Sequence, residues 1–220
     1  MRHDMVQTEE PGGKPQDLSL PHGRITYDSA KDRETNILQE IRFAGEKQRF
    51  FDYLEHSQGL ISATVARHLR VSTHACKIDE RKYWIYGSFN VCINVWIDRG
   101  PDVLIRFPLP FQIKEDICPG NADEKVRCEV AMYVWLQENC PDVPIPFLYG
   151  FGVSKAQGFT HTNNLNIISR NVQSLRWKRS RAKQLPLLSD YTRTHDTGLC
   201  IPYILLEYVD SDRGEPVMQT

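Results

Sequence analysis

The chain has 220 residues, of which 40% are hydrophobic and 25% are charged, the proportions of an ordinary globular protein. Its formal net charge is -1, so the whole molecule has no basic field that would attract nucleic acid or an anionic membrane. No apolar run approaches the roughly 18 residues of a membrane span, and the N-terminus has no signal-peptide pattern. We therefore expect a cytoplasmic protein with no membrane span, for which nucleic acid is not an expected partner.

The cysteines do not have the spacing of a zinc site, because no two of them form a C-x-x-C pair. In a reducing compartment they are expected to be free thiols, several of them buried as small hydrophobic side chains. They are Cys76, Cys92, Cys118, Cys128, Cys140 and Cys200.

The N-terminal third changes from a polar tail to helical periodicity. Residues 1–28 are polar and rich in proline and glycine, which predicts a disordered tail. Residues 29–72 form a helical extension of two amphipathic helices, the second with apolar residues four apart over 61–69. Ser57 or Ser62 is the expected cap of that second helix. A DNA-reading helix pair is the weaker interpretation, because neither helix is strongly basic.

Residues 83–108 change to the period of two that is typical of β-strands. Alternate residues of 91–97 fall on opposite faces of one strand, with the apolar Val and Ile side chains together on one face. The tetrapeptide DRGP at 98–101 predicts a turn, and residues 103–107 form the next strand. The pattern indicates an antiparallel meander.

A helix and a further extended segment follow the meander. Residues 119–139 predict a helix that Asn121 or Asp123 caps and that ends before Pro141. The two prolines in the next segment, VPIPFLYGF, favour extended structure at the edge of a sheet.

The C-terminal part combines an insert with one strong strand. Residues 154–200 predict an irregular insert that contains the basic stretch RWKRSRAKQ. A solvated surface is the ordinary interpretation of this stretch, and docking to an acidic protein, an anionic lipid or a nucleic acid is the alternative. The chain then returns to a strand in IPYILLEYV at 201–209.

Arg106 is a charged residue within an apolar strand, where it is costly unless it has a partner. Glu129 is the candidate partner, because it lies beside the apolar stripe of Val126 and Tyr133 on the following helix. A strand cation that pairs with a helix carboxylate can be oriented toward nucleotide phosphates. Taken singly, each residue also fits an ordinary surface position.

Four stretches, in order, resemble the fungal branch of the aminoglycoside-phosphotransferase (choline-kinase-like) family: GSFNVCINV, VLIRFPLP, PGNADEKVRCEVAMYVWLQENCPDVPIP and PYILLEYV. The resemblance covers about residues 83–212 and implies an α+β fold of the protein-kinase type. We expect a kinase-like N-lobe, an antiparallel sheet of about five strands with one packed helix, after the N-terminal helices. A short tail, residues 213–220, would follow the lobe.

The resemblance also implies a site for ATP. The loop that covers the nucleotide is matched by Gly87, Ser88, Phe89 and Asn90, with one glycine where protein kinases have G-x-G-x-x-G. The position near the roof of the adenine is matched by Cys92.

The remaining residues implied by the resemblance lie on the strands and the helix. Arg106 matches the phosphate-binding lysine, which this branch often replaces by arginine, and Glu129 matches its helix partner. The hinge that would meet the adenine edge is matched by Glu207, Tyr208 and Val209.

Phosphoryl transfer also needs a group that orients the acceptor hydroxyl and carboxylates that hold Mg²⁺. The family takes both from a C-terminal lobe with an H-G-D-like loop, and neither H-G-D nor H-R-D occurs in this sequence. We therefore predict a truncated phosphotransferase-like protein that has no catalytic residues and no activity of its own. Mg²⁺ is not expected to be held by this chain alone.

Two other functions remain open from the sequence. The chain could be part of an ATP-dependent small-molecule phosphotransferase whose C-lobe lies outside it. It could instead be a non-enzymatic binding or accessory module that acts through the basic insert or the exposed surface of the lobe. A C-lobe-bearing protein or a second copy of the chain is the expected partner.

Overall fold

The computed structural model describes residues 18–20, 23–26, 29, 37–155, 157–164, 191–194 and 198–209. The chain divides into two compact units, Met1–Arg49 and Phe50–Thr220. In the first unit, strands β1 (Leu18–Leu20) and β2 (Gly23–Ile25) form an antiparallel ladder. This ladder lies within the stretch for which the sequence predicted disorder, and most of that stretch lies outside the described residues.

The two predicted helices of the N-terminal extension are present. Helix α1 covers Ile37–His56, across the boundary between the units, and α2 covers Gln58–Leu69. Ser57 occupies the N-cap position of α2, but its side chain makes no capping hydrogen bond, so neither predicted serine cap is formed. Among the described helices, none has the length and hydropathy needed to cross a membrane.

The second unit is built on an antiparallel sheet that has eight strands among the described residues. The strands are β3 (Cys76–Ile78), β4 (Ile85–Tyr86), β5 (Asn90–Ile97), β6 (Val103–Pro108), β7 (Leu148–Val153), β8 (Gln157–His161), β9 (Tyr191–Thr194) and β10 (Tyr203–Glu207). Their order is β3-β5-β6-β10-β7-β8-β9, and β4 also pairs with β5. The predicted antiparallel meander is therefore confirmed as β4, β5 and β6, within a larger sheet than the five strands expected.

Two predictions for the second half of the chain were wrong in part. Strand β7 lies between β10 and β8, so the segment after the prolines is interior rather than at an edge. Pro144 and Pro146 precede this strand and therefore remove no hydrogen bond from its ladder. The insert also supplies β8 and β9, while its basic stretch lies outside the described residues.

Helices cover both faces of the sheet, which gives the α+β fold that the sequence predicted. Helix α3 (Asn121–Asn139) packs on β7, β10 and β6, and α2 contacts β3 and β7. Ile204 lies in the α3 core, whereas its neighbour Tyr203 contacts His68 of α2. Adjacent strand residues point to opposite faces, so the two helices lie on opposite sides. The α3 core contains Val126, Val130, Val134, Leu148, Phe151, Tyr191, Ile204 and Leu206.

The side of the sheet that faces α2 contains a buried histidine. His68 is 1% exposed, and its ring nitrogens lie 2.7 Å from the Thr160 hydroxyl and 2.7 Å from the Tyr203 hydroxyl. The space for these rings depends on two glycines of β7. A Cβ at Gly150 would lie 2.4 Å from the His68 ring, and one at Gly152 would lie 2.2 Å from the Tyr203 ring.

Burial holds the imidazole in its neutral form. The pKa of His68 is lowered from 6.5 to about 3, mainly by burial and further by the neighbouring charge of Arg67. A neutral ring donates one hydrogen bond and accepts another, which suits two hydroxyl neighbours. The folded-state pKa is below the unfolded value, so the unfolded chain binds the extra proton when the pH falls between these values.

We expect His68 to make the protein sensitive to acid. Stability should fall by up to about 1.4 kcal/mol per pH unit as the pH decreases from 6.5 toward 3. His68→Gln keeps a donor and an acceptor but does not titrate, so it should remove this part of the pH dependence. Urea unfolding of both proteins at pH 7 and pH 5 measures the difference, and equal losses of stability would contradict the assignment.

Candidate functional site

The alternation of β6 places Arg106 at a surface that remains partly accessible. Val103, Ile105 and Phe107 are fully buried on one face of the strand. Arg106 and Leu104 lie on the other face and are only half-buried. This is the division between the two faces that the sequence predicted, and it directs the guanidinium toward helix α3.

Arg106 and Glu129 form the predicted ion pair. Arg106 Nη2 donates to Glu129 Oε2 at 2.6 Å, and the two side chains are 15% and 25% exposed. Arg106 Nε is buried and has no hydrogen-bond partner among the described residues. Burial raises the pKa of the nearby Tyr133 phenol, while the Arg106 charge opposes that shift. The neutral Tyr133 therefore leaves the charge of Arg106 to be balanced by Glu129.

A second cation, which the sequence analysis missed, shares the same carboxylate. Lys125 Nζ donates to Glu129 Oε1, and the lysine side chain is 23% exposed. The spacing of four residues on one helix could have indicated this pair, because such residues lie on the same face. We call Phe89, Arg106, Lys125 and Glu129 the charged cluster. Its three charged groups carry a net charge of +1.

The start of α3 is held by residues that the sequence did not predict. The Glu115 carboxylate accepts from the backbone N–H groups of Gly120 at 2.7 Å and Ala122 at 2.6 Å. The predicted caps were wrong, because Asp123 instead accepts from the backbone and hydroxyl of Ser154, both at 2.7 Å. The Asn121 side chain donates to the carbonyl of Ile113 at 2.7 Å and accepts no hydrogen bond from the N–H groups of the first turn. These contacts fix the helix that carries Glu129.

The predicted nucleotide-covering loop is the tip of the β4–β5 hairpin. Gly87 N donates to the carbonyl of Asn90 at 3.0 Å, which closes the tip around Ser88 and Phe89. Leu109 N donates to the carbonyl of Phe89 at 2.8 Å, so the tip is tied to the chain just after β6. The Phe89 ring is 54% exposed, and its centroid lies 5.9 Å from Lys125 Nζ. The tip therefore lies over one side of the charged cluster.

Cys92 lies next to Arg106 on the same face of the sheet. The two residues are paired across β5 and β6, and Cys92 is 5% exposed. Burial raises the pKa of its thiol to about 11, with Arg106 opposing the shift and Glu129 adding to it. The thiol is therefore protonated at neutral pH and acts as a small apolar group.

The same face of β5 continues from Cys92 to an anchored tryptophan. Trp96 Nε1 donates to Asp79 Oδ1 at 2.7 Å, and Asn94 Nδ2 donates to Asp79 Oδ2 at 3.1 Å. The Trp96 ring is 38% exposed and meets the Tyr208 ring at a centroid distance of 5.2 Å. We call the face formed by Cys92, Trp96, Leu104 and Tyr208 the Trp96 surface, which is the candidate base surface of the proposal below.

The residues predicted as a hinge leave β10 beside the Trp96 surface. Glu207 exchanges hydrogen bonds with the backbone of Phe147, and Tyr208 N donates to the carbonyl of Asp102 at 3.1 Å. In the ladder, Arg106 pairs with Ile204 and Val103 pairs with Glu207. The hinge end of β6 is therefore about 10 Å along the strand from Arg106. Val209 follows with an exposed side chain.

Comparison with family models, curated proteins and solved structures finds no match to this chain. The resemblance to the aminoglycoside-phosphotransferase family therefore stays a prediction from sequence motifs.

All six cysteines are free thiols. Across the described part of the chain, no group of three or more His, Cys, Asp or Glu residues could hold a metal ion.

Because Glu129 is shared by two cations, removing Glu129 and removing Arg106 should lower the free energy of unfolding by unequal amounts. Glu129→Gln leaves two partly buried cations without a counter-ion, and we expect it to lower the free energy of unfolding by about 3 kcal/mol. Arg106→Met leaves Glu129 paired with Lys125 and should cost less, about 1 kcal/mol. Urea unfolding measures both variants, with Glu138→Gln as a control at an exposed position of the same helix. A greater loss in Arg106→Met would show that Glu129 depends on Arg106 alone.

Proposed function

We propose that this chain binds the polyphosphate of a nucleoside triphosphate, with ATP as the nucleotide that the family resemblance implies. The observation that carries the proposal is the partly buried ion pair between Arg106 of β6 and Glu129 of α3. The carboxylate fixes one edge of the guanidinium, while the fork retains further donors for phosphate oxygens. Because the guanidinium is already ordered, binding a phosphate carries a smaller entropic cost.

The surroundings of the pair support a nucleotide rather than an isolated anion. The exposed Phe89 at the hairpin tip provides a cover on one side of the cluster. On the other side, the Trp96 surface offers the protonated Cys92 thiol, the side chain of Leu104 and the anchored Trp96 ring. A planar base can stack or pack against such groups, while the backbone beyond β10 meets its polar edge. The separation of about 10 Å along β6 suits a base joined to its phosphates through a sugar.

The order of elements also supports a kinase-like N-lobe. The hairpin tip, the strand with the cation, the helix with the carboxylate and the hinge strand follow one another as the resemblance implies. β10 lies between β6 and β7, so the hinge is next to the strand that carries Arg106. We propose binding rather than phosphoryl transfer for these 220 residues alone. By the resemblance, the acceptor-orienting group and the metal carboxylates come from a second lobe whose H-G-D motif the sequence does not contain.

Nucleotide-dependent stabilisation tests the proposal. ATP at about a hundredfold excess over its Kd should raise the free energy of unfolding by about 2.7 kcal/mol. The gain should disappear in Arg106→Met and be partly retained in Arg106→Lys, which keeps the charge but loses the fork. Thermal unfolding with and without Mg²⁺ measures the shift.

Arg127→Met is the matched control, because it removes a positive charge from an exposed position of the same helix. It should respond to ATP as the wild-type protein does. A wild-type protein that shows no stabilisation at millimolar ATP, with or without Mg²⁺, would refute the proposal. A turnover assay on the same samples should give no ATP hydrolysis, and turnover that is lost in Arg106→Met would overturn the restriction to binding.

A further inference from the structure

Glu129 is divided between two cations that come from different elements. Its Oε2 accepts from Arg106 of the sheet at 2.6 Å, and its Oε1 accepts from Lys125 of its own helix. None of the three side chains is more than 25% exposed. An ordinary surface pair on a helix consists of two solvated groups. Here the lysine is part of a partly buried cluster whose charges sum to +1.

The lysine lies on the side of the cluster that faces the hairpin tip. Its ammonium is 5.9 Å from the centroid of the Phe89 ring, close enough for a cation–π attraction. An ammonium has three N–H donors, and Glu129 occupies one of them. The ring uses no directed hydrogen bond, so two donors remain for a ligand that enters between the tip and the helix.

We propose that Lys125 is a second phosphate-binding cation, which acts with Arg106 to select polyphosphates over monophosphates. This inference rests on the proposed function. A polyphosphate that approaches Arg106 also approaches the negative charge of Glu129, which opposes binding. Lys125 offsets that charge, and its free donors reach phosphate oxygens that lie farther toward Phe89. Arg106 and Lys125 flank a single carboxylate, so adjacent phosphates of one chain can meet both cations.

Binding of a phosphate series to the full chain tests this role. The probes are AMP, ADP, ATP and inorganic tripolyphosphate, measured by titration calorimetry at fixed salt. In Lys125→Met, binding of ATP and tripolyphosphate should weaken by about tenfold or more, as for the loss of a charge-assisted hydrogen bond. Binding of AMP should change by less than about threefold. Lys125→Arg should recover most of the affinity for ATP, because it restores a cation with several donors.

Arg127→Met is again the control, and it should bind all four probes like the wild-type protein. Unchanged ATP and tripolyphosphate binding in Lys125→Met would overturn the inference while the proposed function stands. Equal weakening for AMP and ATP would also overturn it, because the lysine would then only support the fold. A wild-type protein that binds neither ATP nor tripolyphosphate would refute the proposed function together with this inference.

Discussion

The pairing of Arg106 with Glu129 is the interaction on which the candidate site depends. Arg106 is set between the fully buried Ile105 and Phe107, so its backbone cannot move without disturbing the core. A charge at such a position is tolerated when a carboxylate meets it. Helix α3 supplies that carboxylate, so a cation is tolerated in β6 only while the helix keeps its position.

Helix α3 is accordingly held at its N-terminal end as well as along its apolar face. The Glu115 carboxylate binds its first free N–H groups, and Asp123 binds the backbone and hydroxyl of Ser154 after β7. Together with the packing of Val126 and Val130, these contacts set both the rotation and the height of the helix. The helix thereby holds Glu129 in position to pair with Arg106. Lys125 also reaches Glu129, because it lies one turn away on the same face of the helix.

The sequence predicted those parts of this arrangement that depend on local periodicity. The period of two in β5 and β6 placed Arg106 opposite a buried face, and the helical stripe placed Glu129 toward the sheet. Contacts between distant segments were not predictable in this way. Lys114 has φ 57°, and the turn there places the carboxylate of Glu115 at the start of α3. The sequence propensity of glutamate does not indicate this contact. Strands β8 and β9 also depend on long-range pairing, with the hydroxyl of the buried Tyr191 donating to the carbonyl of Leu148.

The two faces of the sheet differ in how far they are covered. On the α2 side, buried apolar residues and the hydrogen-bonded His68 leave the interior closed, and two glycines give space to the rings of His68 and Tyr203. On the α3 side, Leu104, Arg106 and Trp96 retain accessible surface, although the helix contacts β6 as well as β7 and β10. These residues are accessible although the opposite face of the same strands is well packed. For the proposed function, the packed α2 face supports the strands from which Arg106 and Trp96 project, and binding of a phosphate and a base requires such groups in fixed positions.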